Sequence, residues 1–195
     1  MSEELRSISR DEINALPIRR WEGEVRVVAS AQEAARALAE IRKETVTGFD
    51  TETRPAFRPG ESYLPSLAQI ATARAVYLFP LASREVAAAV AEVLAAGPIV
   101  KAGVGLADDV KALKKVIEFT ERSTVDLGEA ATRRGFKQTG VRSLAAIFLG
   151  FRVPKGSKTS NWARARLTPQ QVAYAATDAW TCRELYVRFR TLGLV

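Results

Sequence analysis

From Glu24 onward the period of the apolar positions changes repeatedly, and each change marks an element. Val25 to Val28 is a short apolar run that predicts a strand. Ser30 and Glu33 then stand at the N-cap and N3 positions of a capping box. Ala34, Ala37, Leu38 and Ile41 follow at the three- and four-residue spacing of a helix face. Thr45 to Phe49 reads as a strand running into Asp50-Thr51-Glu52. Arg54 to Pro65 carries three prolines and a glycine, which predicts a loop. Ser66 to Thr72 and Ala75 to Phe79 predict a hairpin, and Ser83 to Ala96 a helix. Ile99 to Ala102 reads as a buried strand that Gly103-Val104-Gly105 turns into a helix over Leu106 to Val116, and Ile117 to Phe119 as a further strand.

The C-terminal third has helical spacing. Val125 to Arg134 and Val141 to Leu149 predict short helices, the second stopped by Gly150. Phe151 to Leu167 predicts a basic loop. Thr168 is an N-cap with Pro169 at the first helical position and Gln171 completing a capping box, so a long helix runs to about Arg190. Residues 1–24 are polar and mixed, and read as an N-terminal extension to one domain over 25–195. The element order predicts an α/β fold: a mixed central β-sheet flanked by helices on both faces.

A chain of 195 residues can bury a substantial core. It contains no histidine and one cysteine, Cys182. Ser-His and Cys-His mechanisms, His-ligated metals and a disulfide framework are therefore excluded. The first residues lack the apolar core of a secretory signal, and no run approaches the ~18 apolar residues of a membrane span. The expectation is a cytoplasmic protein with no membrane partner.

The charge is unevenly placed. The net charge is +7, yet Ala130 to Thr177 holds nine basic residues and no acid, while the remainder carries 20 basic against 22 acidic residues. A basic segment of this kind fits a polyanionic partner, nucleic acid above all, against the plainer alternative of a solvated surface.

Chemistry in such a chain must come from carboxylates, lysine, hydroxyls or tyrosine, and three acidic clusters stand out. Asp50 and Glu52 lie two apart on a strand, so both project to one face. Two carboxylates there suit a hard divalent cation, or else form a solvent-facing pair. Asp108 and Asp109 open a helix, where acids favour the dipole whatever their role. Neighbours on a helix diverge by about 100°, so only one of the two can face a common site. Tyr174 and Asp178 share a helix face at i and i+4, and Asp178 is the only acid between Ala130 and Arg183. Burying it calls for a compensating cation, which a basic side chain could also supply through a salt bridge.

In this order and spacing the three clusters resemble the three motifs of the DEDD superfamily of 3′–5′ exonucleases. Phe49-Asp50-Thr51-Glu52 is similar to the first motif. Lys101-Ala-Gly-Val-Gly-Leu-Ala-Asp-Asp109, with Lys111 and Leu113, is similar to the second. Leu167-Thr168, Gln171 and Tyr174-Ala-Ala-Thr-Asp178-Ala179 are similar to the third. The tyrosine four before the last acid marks the tyrosine branch, with its RNase D-like and Werner-type members. Lys155-Gly-Ser-Lys158 and Ser160-Asn-Trp162 resemble the Werner type most. The resemblance covers about Val25 to Phe189.

The resemblance implies a ribonuclease H-like (DnaQ-like exonuclease) fold and hydrolysis of phosphodiester bonds from single-stranded 3′ ends of DNA or RNA, releasing nucleoside 5′-monophosphates. It implies two Mg²⁺ or Mn²⁺ ions held by Asp50, Glu52, Asp109 and Asp178, with Tyr174 orienting the attacking water. The Gly-Val-Gly spacing favours Asp109 over Asp108. Lys155, Lys158 and Arg164 are expected phosphate contacts. Trp162 is a candidate base-stacking residue, against packing under its loop. Leu106, with Leu64 and Leu67, is a candidate wedge for the terminal base, against core packing. Thr53 stands where Werner-type sequences carry an aromatic, so contacts to the terminal nucleotide are expected to differ. The rival readings are a catalytically inactive nucleic-acid-binding module of the same fold and a dinucleotide-binding domain. The second fails on its motif: Gly103-x-Gly105 has Asp108 where a third glycine belongs.

Overall fold

The computed structural model describes residues 7–58, 60–156 and 160–195. Its elements are α1 (Arg10–Ala15), β1 (Glu24–Val27), α2 (Ala31–Ile41), β2 (Val46–Thr53), β3 (Pro65–Ala71), β4 (Ala75–Pro80) and α3 (Arg84–Ala95). There follow β5 (Val100–Gly103), α4 (Leu106–Leu113), β6 (Thr124–Asp126), α5 (Leu127–Arg133), α6 (Val141–Leu149) and α7 (Pro169–Thr191).

Local chemistry sets the ends of these elements. The Thr168 hydroxyl accepts from the Gln171 N–H while the Gln171 side chain accepts from the Thr168 N–H, and Pro169 occupies the first turn, where its missing N–H costs nothing. The Ser30 hydroxyl accepts from the Glu33 N–H, but the Glu33 carboxylate turns back to the N–H of Ala29, one residue before the box position. Gly150 ends α6 with φ 69°, a left-handed conformation that glycine adopts without strain. Ala34, Ala37, Leu38 and Ile41 are the buried face of α2, as their spacing requires.

Three boundaries differ from the sequence reading. Ile117 to Phe119 is not a strand: Ile117 still donates to the Leu113 carbonyl as α4 unwinds, and its side chain packs on the core. The sixth strand is Thr124–Asp126, paired parallel with β5. Asp126 then accepts from the N–H groups of Gly128 and Glu129, so it is the N-cap of α5 and helix cannot begin at Val125. Helix α1, within the extension, was not expected; it is six residues long and buries none of them, so it carries no apolar stripe to read.

The sheet order is β1-β4-β3-β2-β5-β6, with β3 antiparallel to both neighbours and the other pairs parallel. Helices α2, α3 and α4 pack one face around Phe49, Ile70 and Phe79. Helices α5, α6 and α7 cover the other around Leu144, Leu185 and Phe189, with α7 also over Leu67 and Leu78. The sheet is mixed and covered on both faces, as the element order predicted. β2 and α7 approach closely: a β-carbon at Gly48 would lie 1.9 Å from the carbonyl oxygen of Ala179. Only a glycine lets the two backbones meet there, and this contact brings the third acidic segment against the first.

Candidate active site

Strand alternation divides the first motif between the two faces of the sheet. Gly48, Asp50 and Glu52 face α7, whereas Phe49 packs with Leu106 and Leu113 of α4, and Thr51 points the same way. The acids lie where β2 runs out, with a register shift between Glu52 and Thr53. On α7, Asp178 stands one residue before Ala179, which Gly48 abuts. Oxygens of Asp50, Glu52 and Asp178 therefore come within 4.8 Å of one another.

The electrostatics of this triad are unfavourable by themselves. Burial holds the Asp50 carboxyl well above the ordinary aspartate range, and the charges of Asp178, Asp109 and Glu52 push it further. Asp178 is raised as well, mainly by burial, with Tyr174 and Arg142 offsetting part of the effect. Among the described residues Asp178 makes no ion pair, and its Oδ1 is buried without a hydrogen-bond partner. Three carboxylates converging around an unsatisfied buried oxygen are a donor set that fits a hard divalent cation.

Asp109 is close by but outside the triad. It accepts a hydrogen bond from the Thr51 hydroxyl, and burial raises its pKa to about 6 against that bond. Asp108 is exposed, so the half-buried acid of the doublet is Asp109. Tyr174 stands one turn before Asp178. Burial raises its phenol above the ordinary value, with the Asp178 and Glu52 charges adding to the shift, so it stays protonated near neutral pH. A protonated phenol in this position can donate a hydrogen bond.

The remaining expected contacts separate. Lys155 is exposed and lines a cavity of about 510 Å³ beside Tyr174. Arg164 is exposed on a different cavity, of about 730 Å³, with Leu64 and Leu67. Lys158 lies outside the described residues. Thr53 is half-buried at the end of β2. Two expectations are corrected. Trp162 is 2% exposed and packs against Tyr174 at a ring distance of 6.0 Å, so it offers no free face to a base. Leu106 is also 2% exposed, fixed in the core as the first residue of α4. Lys101 is fully buried, its amine donating to the carbonyls of Ala96 and Ile99, which makes it structural.

Four residues near the acids were missed. Thr51 was legible in principle, because the middle residue of a strand triplet faces away from its neighbours. Gln69 pairs with Asp50 across the sheet and is buried with both amide atoms unpartnered among the described residues, a relation only the register reveals. Arg142, on α6, and Arg20, in the N-terminal extension, reach the site by packing that no local pattern announces.

A mixed sheet with convergent carboxylates at the end of a central strand, and a tyrosine one turn before the last of them, defines a DEDD-type 3′–5′ exonuclease domain of ribonuclease H-like fold. The chain belongs to the 3′–5′ exonuclease family, whose model matches residues 25–193. It is 30% identical over 154 residues to the bifunctional 3′–5′ exonuclease/ATP-dependent helicase WRN of Mus musculus, which covers 76% of this chain and 11% of that protein. It is similar in structure to the Nibbler EXO domain of Aedes aegypti, with TM-score 0.77 and 23% identity over 92% of this chain and 93% of that one. It is similar also to RNase D of Escherichia coli, an exoribonuclease involved in structured RNA processing, with TM-score 0.74 and 19% identity over 88% of this chain and 47% of that one. The chain spans between 11% and 23% of the length of the curated relatives it matches. Among the described residues no helix is long and apolar enough to cross a membrane.

Proposed function

We propose that this protein is an active, divalent-metal-dependent 3′–5′ exonuclease acting on single-stranded ends of DNA or RNA and releasing nucleoside 5′-monophosphates. The observation that carries the reading is the convergence of Asp50, Glu52 and Asp178, from two distant segments, within 4.8 Å. In this reading those three residues hold two Mg²⁺ or Mn²⁺ ions, and Asp109 joins them by exchanging its bond to Thr51. When bound there, two such ions would supply charge neutralisation at the phosphate and leaving oxygen and acidification of the attacking water. Tyr174, kept protonated by its buried setting beside carboxylates, donates to that water and fixes its line of approach. Lys155 and Arg164 hold backbone phosphates without reading bases. The exonuclease domain occupies 25–195, with 1–24 as an N-terminal extension.

The test is digestion of matched 5′-labelled DNA and RNA oligonucleotides with Mg²⁺ or Mn²⁺, beside Asp50→Ala. A descending ladder that ends in mononucleotides, stops with EDTA and is absent from the variant is expected. Cleavage of a circular single strand, or an EDTA-resistant ladder, overturns the reading.

A further inference from the structure

We propose that Arg20, in the N-terminal extension, binds a backbone phosphate of the nucleic-acid strand beside Tyr174; the proposal rests on the exonuclease reading above. The cavity of about 510 Å³ that opens beside Tyr174 is walled by Lys155 and Arg20 and by the first turn of α7, Pro169 and Gln170. That volume lies within the roughly 300–1,000 Å³ of built ligand sites. Among the described residues two cations line the cavity and no acid does.

Arg20 is held in place from both sides. Before it, the Arg19 N–H donates to the Arg152 carbonyl at 3.1 Å, and the Arg152 N–H donates to the Pro17 carbonyl at 2.9 Å. After it, the Trp21 N–H donates to the Thr177 hydroxyl at 3.1 Å, one residue before Asp178. The Trp21 ring lies 6.0 Å from that of Trp180 on the same helix. The first pair ties the backbone before Arg20 to the segment after α6, and the Trp21 contacts tie the backbone after it to α7, the helix that carries Tyr174 and Asp178. Its side chain is exposed, and among the described residues the guanidinium has no ion pair or hydrogen bond. A guanidinium and an ammonium lining one cavity match a phosphodiester, whose two free oxygens the guanidinium fork can take together. Tyr174 lines the same cavity, so on the exonuclease reading the phosphate held there lies beside the group that orients the attacking water.

The experiment measures binding of a labelled single-stranded oligonucleotide to the full chain carrying Asp50→Asn, in Ca²⁺, from ~50 to 200 mM salt. Arg20→Gln is expected to weaken binding about tenfold, as loss of a charged hydrogen bond does. It is also expected to reduce the slope of log K against log salt by about 0.7, the contribution of one single-strand phosphate. Arg20→Lys keeps the slope, and Arg190→Gln, at the far end of α7, changes neither quantity. With Asp50 restored, the Arg20→Gln loss appears mainly in KM. An Arg20→Gln chain that binds with unchanged affinity and slope overturns the proposal, as does failure of the parent chain to bind. If the wild-type chain binds but hydrolyses nothing, the exonuclease reading alone fails, and the slope still decides the role of Arg20.

Discussion

A β-carbon at Gly156 would lie 1.6 Å from Cδ2 of Tyr174 and 2.0 Å from Cε2, so the backbone at 156 lies flat against the phenol ring. Trp162 packs on the same ring at 6.0 Å. The loop before α7 thus grips Tyr174, one turn before Asp178. Gly156→Ala is expected to push the ring aside and lower kcat by about 10- to 100-fold, because a displacement near 1 Å costs about that much. The effect should match that of Tyr174→Phe, and the two together should lose little more than either alone. Normal turnover by Gly156→Ala would show that the ring is positioned by other contacts.

The acids give the metal-free protein an inverted pH dependence. Asp109 titrates at about 6 when folded, against ~3.9 for a free aspartate, so the folded state binds more protons between those values. The stability this contributes is complete below pH ~4 and lost as pH rises through about 6, roughly 2–3 kcal/mol for the one group. Burial shifts Asp50 and Asp178 in the same direction. In EDTA, Tm is expected to fall by several degrees from pH 5 to pH 7, and Mn²⁺ to restore it at pH 7. A metal-free Tm that rises over this interval, with Mn²⁺ without effect, would contradict the charge arrangement.

Most of the fold was legible because its elements are strongly patterned. The buried set of α2, the ends of α6 and the capping box of α7 follow from spacing and caps alone. Three acids of the site were legible because each falls at a place where strand or helix period decides its direction. The failures occur where one side chain has two uses. Asp126 looks like part of a helix, yet as a cap it ends a strand. Trp162 and Leu106 sit in motifs that touch substrate in the resemblance, yet burial claims both. Arg20 comes near Tyr174 through backbone bonds to Arg152, 132 residues away in number, and no local pattern encodes such a contact.

The contact between β2 and α7 predicts a stability defect with little room for relief. At Gly48 the obstructing atoms are backbone: the Ala179 carbonyl at 1.9 Å and the Arg183 nitrogen at 2.7 Å. Gly48→Ala must therefore part the helix from the strand, at a cost of about 3 kcal/mol or more. Denaturant midpoints would show the loss, and Mn²⁺ binding should weaken with it, because Asp178 moves with the helix. A variant as stable as the parent would mean that α7 does not rest on β2 in solution.

The doublet in α4 makes the most specific claim. Asp108 is exposed, while Asp109 is half-buried and bonded to Thr51. Asp109→Asn is expected to abolish turnover and Asp108→Asn to change it less than about threefold. Thr51→Val probes the same acid without touching its carboxylate. The hydroxyl bond favours the charged form of Asp109, so its loss raises a pKa that already stands at about 6. In the metal-free protein more of the acid is then protonated at pH 6 to 7, and protons compete with the metal for it, so the Mn²⁺ concentration needed for half-maximal binding should rise more steeply towards low pH than in the parent. The excess should be larger at pH 6 than at pH 8. An unchanged pH dependence of Mn²⁺ binding in Thr51→Val would show that Asp109 is not the group controlling it. Loss of turnover in Asp108→Asn but not in Asp109→Asn would place the wrong acid at the site.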